Sequence, residues 1–131
     1  MASTSQTSNP FRDLAKERTL CSVEFTVGAT GAVGTLSGAG FGTGPLKGSV
    51  TRTGVGVYDF VMPGSGSLPN LQLLSIHLVG SSELIPLVTA RDLSARKITI
   101  TFKDQDTPAA TDPTQNDVLV AHFLMTNTTV R

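Results

Sequence analysis

Residues 52–63 read Arg-Thr-Gly-Val-Gly-Val-Tyr-Asp-Phe-Val-Met-Pro, and they show a two-residue period more plainly than any other stretch of the chain. After Gly56, large side chains alternate with smaller or charged ones. Successive side chains of an extended strand point to opposite sides, so this alternation is typical of a strand with one buried face. We expect Tyr58, Phe60 and Met62 to face the core, and Asp59 to face outward.

This strand is predicted to begin at Val50 and to end at Val61, as the central strand of the domain. Glycines at positions 54 and 56 favour a bulge within it. Pro63 cannot donate to a strand ladder and therefore ends it, and the Gly-Ser-Gly-Ser run at residues 64–67 predicts a flexible turn.

Further segments have strand character and are joined by turns rich in glycine, proline and serine. In residues 71–79 both faces are largely apolar, which predicts a strand in the middle of the assembly. Residues 83–90 contain Pro86, which belongs on an edge or in a bulge. The other predicted strands are residues 21–27, with Cys21, Val23, Phe25 and Val27 inward, residues 97–103, with Ile98, Ile100 and Phe102 inward, and residues 118–130, with Leu119, Ala121, Phe123 and Met125 on one face.

Strands without intervening helices predict an all-β fold, an antiparallel β-sandwich of jelly-roll-like type. Residues 1–9 are polar and are predicted to form an N-terminal arm. Asn9 and Pro10 suit the start of one short helix, in which Phe11, Leu14, Ala15 and Arg18 would share a face. We therefore divide the chain into an arm and helix at residues 1–19 and a sandwich domain at residues 20–131.

Residues 28–48 hold eight of the thirteen glycines and are open to three interpretations: a hairpin, a long exposed loop or a phosphate cradle. The cradle fails because Lys47 precedes its glycine, unlike the Gly-Lys-Ser/Thr end of a P-loop, and no helix follows. Long loops without structure are uncommon unless they are functional, which favours a hairpin or a loop that touches a neighbour.

The 131 residues carry no net charge, and only 15% of them are charged, against about a quarter in ordinary domains. A chain without a basic patch has no electrostatic basis for binding nucleic acid. A weakly charged surface instead suits a subunit that copies of itself or other partners cover. No signal peptide or membrane span is predicted, and the single cysteine, Cys21, suits synthesis in a reducing cytoplasm.

Two groups of residues are candidates for a chemical role. His77 and His122 lie in predicted strands, where each would be a core residue, an interface residue or one of two metal ligands, and no third ligand stands at a fixed spacing. Asp104-Gln105-Asp106 resembles the start of a calcium loop, but Ala109 replaces the required glycine, which leaves a solvated loop or an irregular site shared between subunits. We assign no catalytic, cofactor-binding or metal-binding residue and expect no enzyme.

The strand at residues 52–63, the string Leu-Leu-Ser-Ile-His-Leu at residues 73–78 and the string Leu-Val-Ala-His-Phe-Leu-Met-Thr-Asn at residues 119–127 together resemble small β-sandwich virion proteins of tailed bacteriophages. In those proteins a Thr-Gly-x-Gly-x-Tyr strand, a Leu-Leu-Ser-Val strand and a C-terminal apolar strand recur. The resemblance covers roughly residues 50–130. It implies a protein that decorates or cements a capsid, or forms another surface part of the particle.

Two functions follow as expectations. The first is a capsid decoration protein on the capsid surface of the virion, synthesised in the host cytoplasm and assembled as a homo-oligomer, most simply a homotrimer, on the major capsid protein or other virion proteins. No nucleic acid, membrane or cofactor is expected. The alternative is a receptor- or carbohydrate-binding module of a fibre, spike or tail, although the chain has one tyrosine and no tryptophan to stack on sugars.

Overall fold

A computed structural model of the protein describes residues 18–126, and within them the fold is all-β. Two antiparallel sheets are present, a three-stranded sheet of order β1-β7-β4 and a four-stranded sheet of order β2-β3-β6-β5. In this part of the chain no helix has the length and apolar character needed to cross a membrane. The strands are β1 (Arg18–Thr26), β2 (Ser49–Gly54), β3 (Val57–Val61), β4 (Asn70–Val79), β5 (Leu84–Asp92), β6 (Lys97–Asp104) and β7 (Val118–Thr126), and one 3-10 turn spans Ala29–Gly31.

One apolar core lies between the sheets, and the two-residue period of the sequence identifies most of it. Tyr58, Phe60 and Met62 are buried as predicted, and Asp59 lies on the opposite face. The predicted inward faces of β1, β6 and β7 are likewise confirmed. Strands β1, β3, β6 and β7 therefore bury chiefly one side of the pleat and leave the other to solvent or to a partner.

The prediction of one strand from Val50 to Val61 is wrong. The chain reverses at Val55 and Gly56, so β2 and β3 form a hairpin in which Val50 pairs with Phe60. Gly56 has a φ of 71°, which glycine adopts without the steric cost that a β-carbon imposes. The alternation of large and small side chains continues through a tight turn of this kind. The two-residue period of the sequence therefore did not show whether the segment is one strand or two.

The prediction that β4 lies in the middle of the assembly is also wrong, because β4 is an edge strand of the three-stranded sheet. A register shift between Leu73 and Ser75 moves the later residues to the other face. Ile76 and Leu78, which the plain alternation placed opposite Leu71, therefore point toward the same core. The apolar residues on both faces reflect this change of register.

The predicted edge position of the strand containing Pro86 is confirmed, since β5 ends the four-stranded sheet. Arg18, which we assigned to the helix face, lies in β1 and pairs with Thr126, so the first strand begins before residue 21, where the sequence placed its start. The arm and the remainder of the predicted helix lie outside the described residues.

The glycine-rich segment folds back along β1 through isolated antiparallel bridges, of Val33 with Val27 and of Ser37 with Glu24, but it contains no extended strand of its own. The backbones of Ser37 and Glu24 exchange two hydrogen bonds, and the carbonyl oxygen of Ala39 accepts one from the Ser22 amide at 3.1 Å. These contacts cover the outer edge of β1. The unpaired sheet edges of β4 and β5 receive no such cover from this loop.

Candidate interaction surfaces

The first candidate surface is the groove between the free edges of β4 and β5. It has a volume of about 460 Å³ and is lined by residues 71–73 of β4, residues 88–91 of β5 and Ile98 of β6. Arg91 joins the two edges, because its Nη1 donates to the carbonyl oxygen of Leu71 at 3.1 Å and to Oδ1 of Asn70 at 3.3 Å. The groove is therefore a built part of the fold, and its lining includes the buried core residues Leu71 and Ile98.

Strand β5 exposes apolar side chains on both of its faces. Val88 pairs with the buried Ile100 and so points toward the groove, whereas Ile85 and Leu87 pair with Lys103 and Thr101 and point outward. These three apolar side chains are 43% to 47% exposed. The three-stranded sheet is one strand narrower than its partner, and Val88, on the inner side of β5, remains exposed. An exposed apolar strand of this kind marks a contact surface.

The backbone of β5 is poorly suited to adding another strand. Phe102 faces Pro86 across the strand pair, but it donates to Gly56 and accepts from Thr111, so its polar groups point away from β5. In an antiparallel pair, when the backbone polar groups of one residue point away from the neighbouring strand, those of the residue opposite it point away as well. The backbone nitrogen of Pro86 therefore lies on the free edge of β5. Proline has no N–H, and the centre of this edge therefore lacks a donor.

Bulges add to this protection on both free edges. The register shifts between Val88 and Ala90 in β5 and between Leu73 and Ser75 in β4. A bulge breaks the regular spacing that a second ladder requires. A partner would therefore contact this side of the molecule chiefly through side chains rather than through a continuous ladder.

The second candidate surface is a pocket on the outer face of the three-stranded sheet, which we call the Leu20 pocket. It has a volume of about 420 Å³, and its lining includes Leu20, Leu74, Ala39, Ser75 and His122. Leu20 is 66% exposed and Leu74 is 50% exposed. Leu74 projects here because it is the extra residue of the β4 bulge. The pocket is apolar at its rim and has three polar side chains in its lining, those of Ser22, Ser75 and His122.

Both predicted histidines lie on this outer face, and neither is a core residue. Ser75 pairs with His122 and His77 pairs with Val120, which makes the histidines diagonal neighbours across β4 and β7. Ser75 Oγ lies 3.2 Å from His122 Nδ1, a contact that the bulge at Leu74 creates and that plain alternation did not predict. Among residues 18–126 no carboxylate is hydrogen-bonded to His122, so a Ser-His-acid triad is not assembled there.

The acidic loop before β7 holds two carboxylates with clear structural roles. Asp112 accepts two hydrogen bonds from Arg52, at 2.9 Å and 2.7 Å, and one from the Gly56 amide at 2.7 Å. These bonds, above all those from Arg52, hold the pKa of Asp112 below its usual range against a smaller effect of burial. Asp112 thereby fastens the loop to the turn of the β2–β3 hairpin.

Asp117 anchors the turn after β4. Burial opposes its ionisation, but hydrogen bonds from Ser82 and Ser81 outweigh this effect and hold the pKa of Asp117 below its usual range. Asp104 and Asp106, the start of the calcium-like sequence, line a polar cleft of about 390 Å³ together with Asp112 and the two serines that bind Asp117. Among residues 18–126 no three His, Cys, Asp or Glu side chains converge in a way that could hold a metal ion.

Two buried groups near the core serve packing. Burial raises the pKa of the Cys21 thiol to about 11, and Arg96 has a smaller opposite effect. The Arg96 guanidinium donates to the carbonyl oxygens of Ser65 and Gly66, each at 3.0 Å, and of Pro63. This buried arginine holds together the turn that the sequence predicted to be flexible, and no local pattern identified it.

Comparison of the chain with protein-family models, with curated proteins and with solved structures gives no match. The arrangement of its own residues therefore carries the functional argument.

Proposed function

We propose that this chain is a structural subunit of a tailed-bacteriophage particle, a decoration or cement protein that stabilises the head through contacts between subunits. The observation that carries the proposal is β5, an edge strand that exposes Ile85, Leu87 and Val88 while Pro86 and a bulge hinder strand addition. This combination suits a surface that is covered by a partner's side chains and is protected against uncontrolled edge pairing.

Under this proposal the mechanism is burial of surface. The jelly-roll-like sandwich supplies a rigid body, and the apolar strand β5 packs against the major capsid protein or another virion protein. Burying apolar surface contributes about 25 cal/mol per Å². Contacts that are individually weak add up when several copies are linked, so a homo-oligomer, most simply a trimer, binds the shell more tightly than one copy does.

The weak charge of the molecule supports the same proposal. Within residues 18–126 two ion pairs are present, Arg52 with Asp112 and Lys97 with Asp59. Leu87 of β5 pairs with Thr101, an uncharged residue near the centre of β6, whereas Lys97 and Lys103 lie toward the ends of that strand. An interface centred on Leu87 would therefore meet few charged side chains, as the cores of protein interfaces do.

The alternative function is a receptor- or carbohydrate-binding module of a fibre, spike or tail. The Leu20 pocket favours it, since Ser75 and His122 place polar groups beside apolar walls. Sugar-binding sites commonly stack an exposed aromatic ring on the sugar, and this weighs against the alternative. Tyr58, the one tyrosine, is fully buried and cannot stack on a sugar.

The test is binding of the purified protein to phage heads that lack it. Wild-type protein should sediment with the heads, and Leu87→Glu should not, because it places a charge in the buried contact. Ser49→Glu, on the outer face of β2 in the same sheet and opposite the uncharged Val61, is the matched control and should still sediment. Electron microscopy of labelled particles then locates the protein, and a position on a fibre or tail would favour the alternative.

A further inference from the structure

Leu46 holds a backbone conformation that leucine rarely adopts. Its φ is 65°, in the left-handed region, where a β-carbon is crowded. Among residues 18–126 it is one of four non-glycine residues with a positive φ, and its side chain is 65% exposed. Leu46 therefore combines a strained backbone with an apolar side chain in water.

The other three residues have reasons within the chain for their conformation. Arg96 donates hydrogen bonds to several carbonyl oxygens from a buried position. Asn116 is a residue type that tolerates the left-handed region, and Thr30 donates from Oγ1 to the carbonyl oxygen of Ala29. The Leu46 side chain has no comparable role, although its carbonyl oxygen accepts a hydrogen bond from Gly64 at 2.8 Å.

The turn that contains Leu46 shows which residue types are expected at its position. The Lys47 amide donates to the carbonyl oxygen of Gly44 at 3.4 Å, so Pro45 and Leu46 are the central residues of a four-residue turn. Proline at the second position and a positive φ at the third are the pattern of a type II turn, which favours Gly or Asn where Leu46 stands. The turn between β2 and β3 follows that rule, with Gly56 at the left-handed position.

We propose that Leu46 is a contact residue that inserts into the Leu20 pocket of a second copy of this chain. The pocket volume of about 420 Å³ is ample for the side chains of Leu46 and Pro45, since a cavity of about 150 Å³ already binds benzene. Insertion removes Leu46 from water together with the exposed rim residues Leu20 and Leu74. This burial offsets the cost of the left-handed conformation.

Charges beside the two surfaces are complementary. Lys47 follows the inserted leucine and is exposed, and it has no ion pair among the described residues. Glu24 lies two residues beyond Ser22 on the outer face of β1, beside the pocket, and in residues 18–126 its carboxylate likewise has no cationic partner. Insertion of Leu46 brings a free cation toward a free carboxylate, which orients the docking copy.

The inserted residue and the pocket are different surfaces of one chain, so the contact can run head-to-tail from copy to copy. Such contacts close into rings when the rotation between copies permits, and a trimer is one such ring. This inference rests on the self-association in the proposed function and names the residues that produce it.

The deciding variant is Leu46→Asn, because asparagine tolerates the left-handed conformation and removes the apolar side chain. We expect the dissociation constant of the oligomer to rise at least about tenfold, which corresponds to about 1.4 kcal/mol. The stability of the monomer, measured at concentrations where the wild type is dissociated, should be unchanged or higher. Analytical ultracentrifugation and urea unfolding measure the two quantities.

The control is Val55→Asn, in the second exposed turn, where the valine is 56% exposed. It should leave association unchanged. Leu20→Thr, which keeps a strand-forming residue in the pocket rim, should weaken association as Leu46→Asn does, and the double variant should be less than additive because both changes remove one contact.

The outcomes separate this inference from the proposed function. A wild type that stays monomeric at every accessible concentration contradicts both. An oligomeric wild type whose Leu46→Asn variant associates equally well overturns the assignment of Leu46 alone. A loss of monomer stability without any change in association would assign Leu46 a role within its own chain and would also overturn the contact.

Discussion

The ring of Phe60 in β3 lies 5.4 Å from the ring of Phe123 in β7, centroid to centroid, and this contact joins the two sheets. Both side chains are fully buried. Asp59, the preceding residue, points away from the core, where it accepts a hydrogen bond from Thr99 at 2.7 Å and lies 3.6 Å from Lys97. One step along the strand thus separates an apolar environment from a polar one.

Replacing Phe60 by alanine should therefore cost about 3 to 5 kcal/mol in free energy of unfolding, through lost transfer energy and the cavity left behind. Asp59→Ala should cost about 1 kcal/mol, because it removes one partly exposed hydrogen bond and a surface ion pair. Urea unfolding of both variants measures the difference. A larger loss for Asp59→Ala would mean that β3 is shifted by one residue and that the core is wrongly assigned.

Gly80 and Gly42 offer a test of close packing at matched backbone geometry. Their φ values are 148° and 147°, but a β-carbon at Gly80 would overlap the Asp117 carboxylate, whereas at Gly42 it would meet no atom within 4 Å. Gly42→Ala should show backbone strain alone, about 1 to 3 kcal/mol. Gly80→Ala should lose more, because Asp117 must also leave Ser81 and Ser82. Equal losses in urea unfolding would argue against the Asp117 anchor.

The bond between Arg52 and Asp112 predicts a dependence of stability on acid. The folded protein lowers the pKa of Asp112, so this carboxylate stabilises the fold above its unfolded pKa of about 3.9, and the contribution is lost as pH falls through the lower folded value. The difference in unfolding free energy between wild type and Asp112→Asn should be constant above about pH 5 and should shrink below about pH 4.

The matched control for this experiment is Asp106→Asn, an exposed carboxylate of the same loop without a cationic partner among the described residues. Its unfolding free energy should follow the wild type across the same pH range. A difference for Asp112→Asn that stays constant down to pH 2 would show that the charge of Asp112 is not what stabilises the loop.

Cys21 should be unreactive in the folded protein. It is buried, and its pKa of about 11 leaves roughly two-hundredfold less thiolate at pH 8 than a free cysteine with a pKa of about 8.5. Reaction with a chromogenic disulfide reagent should be slow in buffer and rapid in concentrated urea. Equal rates under the two conditions would place Cys21 at the surface.

The residue pattern was sufficient where one strand buries one face. The period of residues 57–62 and of residues 97–103 predicted both the strands and their inward side chains, because the pleat alone decides which residues meet the core. Proline predicted the edge position of β5 for an equally local reason, the missing N–H of Pro86. The all-β class and the antiparallel pairing followed from the same local signals.

Only the tertiary structure decided the features that carry the functional argument. The β4 bulge brings Ser75 to His122 and places Leu74 at the Leu20 pocket. The bulge depends on pairing with β7, and the residues that precede it keep a regular two-residue alternation, so the sequence alone did not predict it. Leu46 looked like one apolar residue among glycines, because its exposure and left-handed φ depend on the loop that the β1 edge holds in place. Alternation within a strand is set by neighbours in sequence, whereas edges, bulges and pockets are set by residues that are distant along the chain and adjacent in space.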